Sequence, residues 1–227
     1  MRKGEVVKGS KLALVTGAST GIGRQYAEQL ADLGYNLTLQ EVAHEIEEKH
    51  GVKVVVKAMD LATTDAADKL FGWCKEEGHI VDVLINNAGM FSFCDISNTP
   101  AERIVRTITL HDITNSLLCQ LFGNDMAERG GGYILNMSSF SVWMPFPGLA
   151  LYSASKAYLK SFSVAFAKEM RYQNVWVTAV CPAGIATDLY GLTKKWQGIG
   201  LKWHALSSPG SRICSRWKDA SFFMMIA

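Results

Sequence analysis

Short apolar, β-branched runs alternate along this chain with longer segments of helical period, and that alternation limits the fold more than any other feature. The runs are Leu12–Thr16, Asn36–Leu39, Val52–Lys57, Val83–Asn86, Tyr133–Met137 and Val175–Val180. Between them lie Ile22–Leu33, about Glu41–His50, Asp65–Glu77, Pro100–Arg129 and Ala150–Tyr172. Runs such as VDVLIN and VWVTAV are apolar rather than cleanly alternating, as in strands covered on both faces. Such a β/α succession predicts an α/β, doubly wound parallel sheet with right-handed crossovers. No repeat, low-complexity tract or Pro/Gly/Ser linker divides residues 1–227, so a single domain is expected. Phe222–Ile226 is the only candidate for a seventh strand.

The length of 227 residues and a hydrophobic content of 48% allow a substantial core and exclude a disordered chain. A net charge of +2 gives no argument for nucleic acid as partner. The charge is uneven, however. From Tyr190 onward there are six basic residues against Asp219 alone, together with Trp196, Trp203 and Trp217. The five cysteines are odd in number and form no CxxC pair, which suits a reducing cytoplasm. No secretory leader pattern, no integral membrane segment and no metal site are expected.

Leu12-Ala-Leu-Val15 runs directly into Thr16-Gly17-Ala18-Ser19-Thr20-Gly21-Ile22-Gly23 and then into a helix. Glycines at 17, 21 and 23 permit a tight turn and let backbone N–H groups approach a pyrophosphate. The positive end of the following helix favours that anion. A glycine-rich turn alone can be purely structural. Between the first strand and the first helix it predicts a dinucleotide site in a Rossmann-type domain.

Asn86-Asn87-Ala88-Gly89 closes the fourth strand at the carboxyl edge, where such sheets bind ligands; it is equally a good strand-ending turn. Strand Tyr133–Met137 ends in Ser138-Ser139, Tyr152 follows Ser139 by 13 residues, and Lys156 lies four further on. Tyr and Lys at i and i+4 share one helix face. A free tyrosine, with a pKa of about 10, is a poor acid or base near neutrality, and a neighbouring ammonium lowers that value. A hydroxyl at the end of the adjacent strand can hydrogen-bond a substrate oxygen as charge develops on it.

In this order the segments resemble those of the short-chain dehydrogenase/reductase family, from roughly Lys11 to Leu189. The resemblance implies a nicotinamide cofactor and hydride exchange between an alcohol and a carbonyl. It makes Ser139, preferred to Ser138 by its spacing to tyrosine, the carbonyl-orienting hydroxyl. Tyr152 becomes the proton donor or acceptor, and Lys156 the cation that activates it and holds the nicotinamide ribose. Thr16, Gly17, Ser19, Thr20, Gly21, Ile22 and Gly23 would form the pyrophosphate turn. Asn87, Ala88 and Gly89 would lie against the cofactor. Asp60 and Leu61 would face the adenine, with a helix cap as the other reading of Asp60. Pro182-Ala-Gly-Ile185-Ala-Thr187 resembles the family's PGxxxT segment, in which Ile185 and Thr187 would position the nicotinamide; Ala183 stands where glycine is usual.

Two departures stand out. The family carries a relay asparagine about 28 residues before the catalytic serine, and here that position is His111. A neutral imidazole can also donate and accept, so His111 would replace the asparagine with a new pH dependence, unless it is a plain core or surface histidine. The second departure is the stretch from Leu39 to Val52, which is short for a loop and a crossover helix. Either the loop is trimmed or residues are absent, and the residue that selects NAD or NADP is not readable. Arg24 and the lack of an aspartate after the second strand lean toward NADP.

The expected function is therefore an NAD(P)-dependent oxidoreductase acting on a small carbonyl or alcohol, such as a 3-oxoacyl thioester or a hydrophobic ketone. Trp143, Met144, Phe146, Leu149 and Tyr190 would shape an apolar pocket, or simply pack in the core. The alternative is a cofactor-sensing binding protein that turns nothing over. A homodimer or homotetramer through the long helices is expected, with a substrate lid and tail at about 188–227. The basic, Trp-rich tail faces either an anionic, apolar-bodied substrate, a membrane or partner surface, or solvent over core tryptophans.

Overall fold

The computed structural model describes residues 11–18, 21–39, 43–91, 93–182 and 224–226. The strands are β1 (Leu12–Val15), β2 (Asn36–Leu39), β3 (Val54–Val56), β4 (Val81–Asn86), β5 (Gly132–Met137), β6 (Val175–Pro182) and β7 (Met224–Ile226). The helices are α1 (Gly21–Asp32), α2 (Ala43–His50), α3 (Ala66–Glu76), α4 (Ala101–Ile108), α5 (Asn115–Glu128) and α6 (Ala150–Met170). They form one sheet in the order β3-β2-β1-β4-β5-β6-β7. Strands β1 to β6 are parallel, with Val15 opposite Ile85 and Asn86 opposite Asn136.

Successive strand residues face opposite sides of the sheet, and each side is covered. Ala13, Val15, Val83, Ile85, Leu135 and Met137 pack with Tyr26, Leu30 and Ile46 from α1 and α2. Leu14, Leu84 and Ile134 face Leu70 from α3, Phe122 and Met126 from α5, and Met170 from α6. The doubly wound architecture follows from those two apolar faces. Between β1 and β4 the winding reverses, opening a crevice at the carboxyl ends of the strands where α/β sheets hold ligands.

Three features depart from the sequence reading. Six parallel strands were expected with Phe222–Ile226 as candidate for a seventh; β7 lies within that run, but it is antiparallel to β6, with Val180 opposite Ile226. The stretch expected as one helix, Pro100–Arg129, is interrupted by a π-helical turn at Thr109–Thr114 between α4 and α5. Strand β4 begins at Val81 rather than Val83, since the charge on Asp82 is absorbed by the Leu12 N–H at 3.1 Å and by Arg129 at 3.4 Å. The lid and tail expected at about 188–227 lie outside the described residues, apart from β7.

Candidate active site

The turn after β1 is built around missing side chains. Gly17 and Gly21 have φ of +64° and +58°, a backbone conformation that side-chain-bearing residues rarely adopt. A Cβ on Gly17 would sit 2.8 Å from Ala88 Cα, and one on Gly23 would run into the Gly17 carbonyl oxygen. Thr16 ties this turn to the end of β4. Its Oγ1 accepts the N–H groups of Asn87 and Ala88 at 3.0 Å each. Asn87 Nδ2 in return donates to the carbonyls of Thr16 at 3.1 Å and Gly17 at 2.9 Å. Gly21 and Ile22 open α1, so its unpaired N–H groups and positive dipole end face the same crevice. A bare turn, a helix N-terminus and a strand switch point together fit a dinucleotide pyrophosphate. Ser19 and Thr20 lie outside the described residues.

Strand β5 and helix α6 supply the reactive groups. The two serines at the end of β5 are distinguished by their hydrogen bonds. Ser138 Oγ donates to the Lys156 carbonyl at 2.7 Å and so anchors α6. Ser139 Oγ accepts the Ser141 N–H at 3.2 Å, which keeps its own hydroxyl proton available to a ligand. Tyr152 and Lys156 are both buried, at 7% and 4% exposure, on one face of α6. Phe91 packs edge-on against the Tyr152 ring at 5.1 Å, and Lys156 Nζ lies 5.8 Å from its centroid. Nζ also donates to the Met137 carbonyl at 2.8 Å. Burial pushes the Lys156 pKa down to about 8, against the pull of the Asp112 carboxylate. At pH 7 the side chain remains largely cationic. Gly89 completes the wall: a Cβ there would approach His111 Nε2 to 3.1 Å and Lys156 Nζ to 3.4 Å.

His111 sits on the π-helical turn and is fully enclosed, at 0% exposure. Its Nε2 accepts the Met90 N–H at 2.9 Å. Nδ1 lies 2.8 Å from Ser155 Oγ, whose own proton goes to the Tyr152 carbonyl at 2.9 Å. Nδ1 is therefore the protonated nitrogen. Burial, and then the Lys156 charge, push the pKa of His111 down to about 2. The pH dependence anticipated for a histidine here does not arise near neutrality, because the imidazole stays neutral.

The consequence falls on stability instead. Below its ordinary value of about 6.5 the unfolded chain protonates His111 while the folded chain does not, so stability falls as pH drops through that window. Asp112 acts with the opposite sign: burial raises its carboxyl to about 6, so its contribution falls as pH rises from about 3.8 to that value. A His111→Asn variant is expected to lose less stability than the wild type between about pH 7 and about pH 5. Urea unfolding at the two pH values measures the difference, and equal losses would contradict it.

The remaining cofactor positions are less uniform. Asp60 binds the Ala62 N–H at 2.9 Å and Arg106 Nη2 at 3.0 Å, which holds its carboxyl below the usual range. This geometry serves the turn and caps no helix, since α3 starts at Ala66 with Asp65 at its N-cap position. The neighbouring Leu61 carbonyl accepts Thr114 Oγ1 at 2.8 Å. Arg24 is bound by Glu28 at 3.1 Å and by Glu45, so both carboxylates already claim its charge. Pro182 ends β6, while Ile185, Thr187 and Tyr190 lie outside the described residues.

Three residues at the site escaped the sequence reading: Asp112, Asn115, whose Nδ2 donates to the His111 carbonyl at 2.9 Å, and Ser155. One signal was present. Asp112 is the only formally charged residue between Arg106 and Asp125.

The model of the short chain dehydrogenase family matches residues 11–198. The chain belongs to that family. Among curated relatives of this short-chain dehydrogenase, a very-long-chain 3-oxoacyl-CoA reductase of Pyricularia oryzae is 38% identical over 179 residues, covering 74% of this chain and 54% of the relative. The human very-long-chain 3-oxoacyl-CoA reductase is 34% identical over 195 residues, covering 80% and 62%. The chain thus spans between about half and two thirds of these relatives. Among solved structures, a short-chain dehydrogenase from Sphingobium yanoikuyae in complex with NADPH superposes with a TM-score of 0.75 at 30% identity, covering 80% of this chain and 73% of that one. The L-sorbose reductase of Gluconobacter frateurii, in complex with NADPH and L-sorbose, gives 0.73 at 30% identity, covering 79% and 71%.

Proposed function

We propose that this protein is an NADP(H)-dependent oxidoreductase that interconverts a carbonyl and an alcohol, with a 3-oxoacyl thioester or a hydrophobic ketone as substrate. The observation that carries the reading is the assembly of Ser139, Tyr152 and Lys156 at the carboxyl edge beside the Thr16–Asn87 turn. Thr16, Gly17, Gly21, Ile22 and Gly23 would hold the pyrophosphate, and Asn87, Ala88, Gly89 and Lys156 the nicotinamide half. A nicotinamide held there would supply or accept the hydride. The Ser139 hydroxyl donates to the substrate oxygen, and Tyr152 passes its proton to that oxygen as negative charge develops there. The Lys156 ammonium stabilises the phenolate left behind.

Support for an apolar substrate comes from the residues around the mouth. Phe93, Trp143, Met144 and Phe146 are exposed, although large apolar side chains usually withdraw from water. Phe93 and Phe146 stand with ring centroids 6.1 Å apart. Leu149 is buried. The names of the fungal and human relatives point to the same substrate class. NADP is preferred to NAD in this reading on the strength of the NADPH-bound structural relatives, since Arg24 is already held by Glu28 and Glu45. A homodimer or homotetramer would cover Val105, Ile108, Ile113, Tyr158 and Val164, which are exposed along α4, the π turn and α6. A reducing cytoplasm agrees with Cys74, Cys94, Cys119 and Cys181, all free. Among the described residues no helix is long and apolar enough to cross a membrane.

The test is titration of the purified protein with NADPH and NADH, followed by a panel of 3-oxoacyl thioesters, bulky ketones and their alcohols. Carbonyl-dependent oxidation of NADPH, faster than that of NADH, is expected. Binding of NADPH with no turnover across the panel would favour the cofactor-sensing alternative, against which the intact Ser139–Tyr152–Lys156 set speaks.

A further inference from the structure

Each carbonyl reduction would leave the Tyr152 oxygen short of one proton, and each alcohol oxidation would leave one in excess. Lys156 is the group beside it, yet Lys156 is sealed from water, with Nζ bonded to the Met137 carbonyl. Protons must therefore enter through its other neighbours. These are Tyr152 on α6, Cys181 on β6, Gly89 after β4, and His111 and Asp112 on the π-helical turn. Cys181 is buried, and burial raises its thiol pKa, so it stays neutral and closed in. Gly89 has no side chain.

His111 is a dead end. On one side its imidazole meets the Met90 N–H; on the other it meets Ser155, which ends on the Tyr152 carbonyl. Both terminal partners are backbone groups that neither release nor take up a proton at ordinary pH. The His111 carbonyl is itself held by Asn115 Nδ2.

Asp112 differs on every count. It is half-buried, so the residue reaches from the interior to the surface. Its Oδ1 is fully enclosed and has no hydrogen-bond partner among the described residues. An orphaned carboxylate oxygen is costly to bury and calls for a reason. The charge acting on Asp112 is that of Lys156, and Asp112 is in turn the strongest charge acting on Lys156. Among the described residues the two form no direct ion pair, and the path proposed below runs between them through water.

We propose that Asp112 is the port through which protons pass between solvent and Lys156, while His111 is the fixed strut that holds the π-helical turn in place. The inference rests on reading Tyr152 and Lys156 as the proton-handling pair. In reduction, the Tyr152 O–H bond breaks and its proton goes to the substrate oxygen. The phenolate takes a proton from the Lys156 ammonium. The neutral amine takes one from the Asp112 carboxylic acid through intervening water, and the Asp112 carboxylate recovers a proton from bulk water. Oxidation runs the same sequence backwards. A carboxyl whose pKa is raised to about 6 suits this exchange, since it gives and takes protons close to neutrality. Asp112 touches no reacting atom and is a positioning residue for the proton supply.

Two measurements on the full chain test this. The first needs no substrate: in protein labelled with carbon-13 at the lysine ε-carbons, the Lys156 titration midpoint is followed by NMR. Asp112→Asn should lower that midpoint by removing an attractive charge, and an unmoved midpoint overturns the proposal. The second uses NADPH and acetoacetyl-CoA. Asp112→Asn should reduce kcat roughly tenfold with KM little changed, a smaller loss than the ~10²-fold expected on removing the acid itself. Added imidazole buffer should restore the rate, and Asp112→Glu should largely retain it. A kcat equal to wild type, or a loss that neither imidazole nor glutamate relieves, overturns the proposal. If wild-type protein does not reduce the probe, the oxidoreductase reading fails on this substrate, while the lysine titration still decides the role of Asp112.

Discussion

Tyr152→Phe will reduce carbonyl reduction by about 10²–10⁴-fold, the range for losing a positioned acid, while NADPH still binds. The ring fills the same space in both residues, so the edge-on contact with Phe91 and the packing against His111 survive. Only the hydroxyl group is lost, and with it both the proton and the oxygen that carries it. Ser139 and Lys156 remain, but a serine hydroxyl can orient a carbonyl without supplying a proton to it, and the proton of Lys156 reaches the substrate only through the Tyr152 oxygen that the variant lacks. The loss should therefore appear in kcat, with the NADPH dissociation constant nearly unchanged. Stopped-flow turnover with fluorescence titration of NADPH separates the two. A variant that retains wild-type turnover would remove Tyr152 from the chemistry.

Gly23→Ala is the second large effect, and it works through shape. The added methyl meets the Gly17 carbonyl oxygen and Asn87 Nδ2 at distances no real Cβ tolerates. Neither neighbour can yield cheaply: Gly17 is backbone in a left-handed turn, and Asn87 Nδ2 holds two carbonyls of that turn. Relief requires α1 to move off the end of β1. Overpacking of this kind costs about 1–3 kcal/mol, or roughly 2–12 °C in Tm for a chain of this size. The moved helix also withdraws its N-terminus from the pyrophosphate position. Loss of NADPH binding together with a lowered Tm is the expected result; binding unchanged at an unchanged Tm would show that the turn accommodates the methyl group.

The regular elements were legible because their signals are local. A run such as Tyr133–Met137 carries its own β-branched, two-faced pattern, and the Ser138-Ser139 step and the Tyr152–Lys156 spacing lie within single elements. The π-helical turn at Thr109–Thr114 was not legible: one extra residue in a helical turn leaves composition and period almost unchanged. The start of β4 was missed because Asp82 looks out of place in a strand until Leu12 and Arg129 are seen to meet it. Arg24 invited a reading as a phosphate ligand, whereas Glu45, far along the chain, lies against it. Asp112 and Ser155 gain meaning only once α6 packs on the π turn, a contact between segments more than 40 residues apart.

Thr16 and Asn87 hold the mouth of the crevice in its working shape by five hydrogen bonds that need no ligand. The backbone ordering that a mobile loop would undergo on binding is thus completed during folding. Less of the cofactor's interaction energy is then offset by lost conformational entropy, and more of it appears as affinity. The same rigidity has a second side. A cradle set in advance cannot reshape itself around a different dinucleotide, so any discrimination between cofactors must come from groups beyond the pyrophosphate.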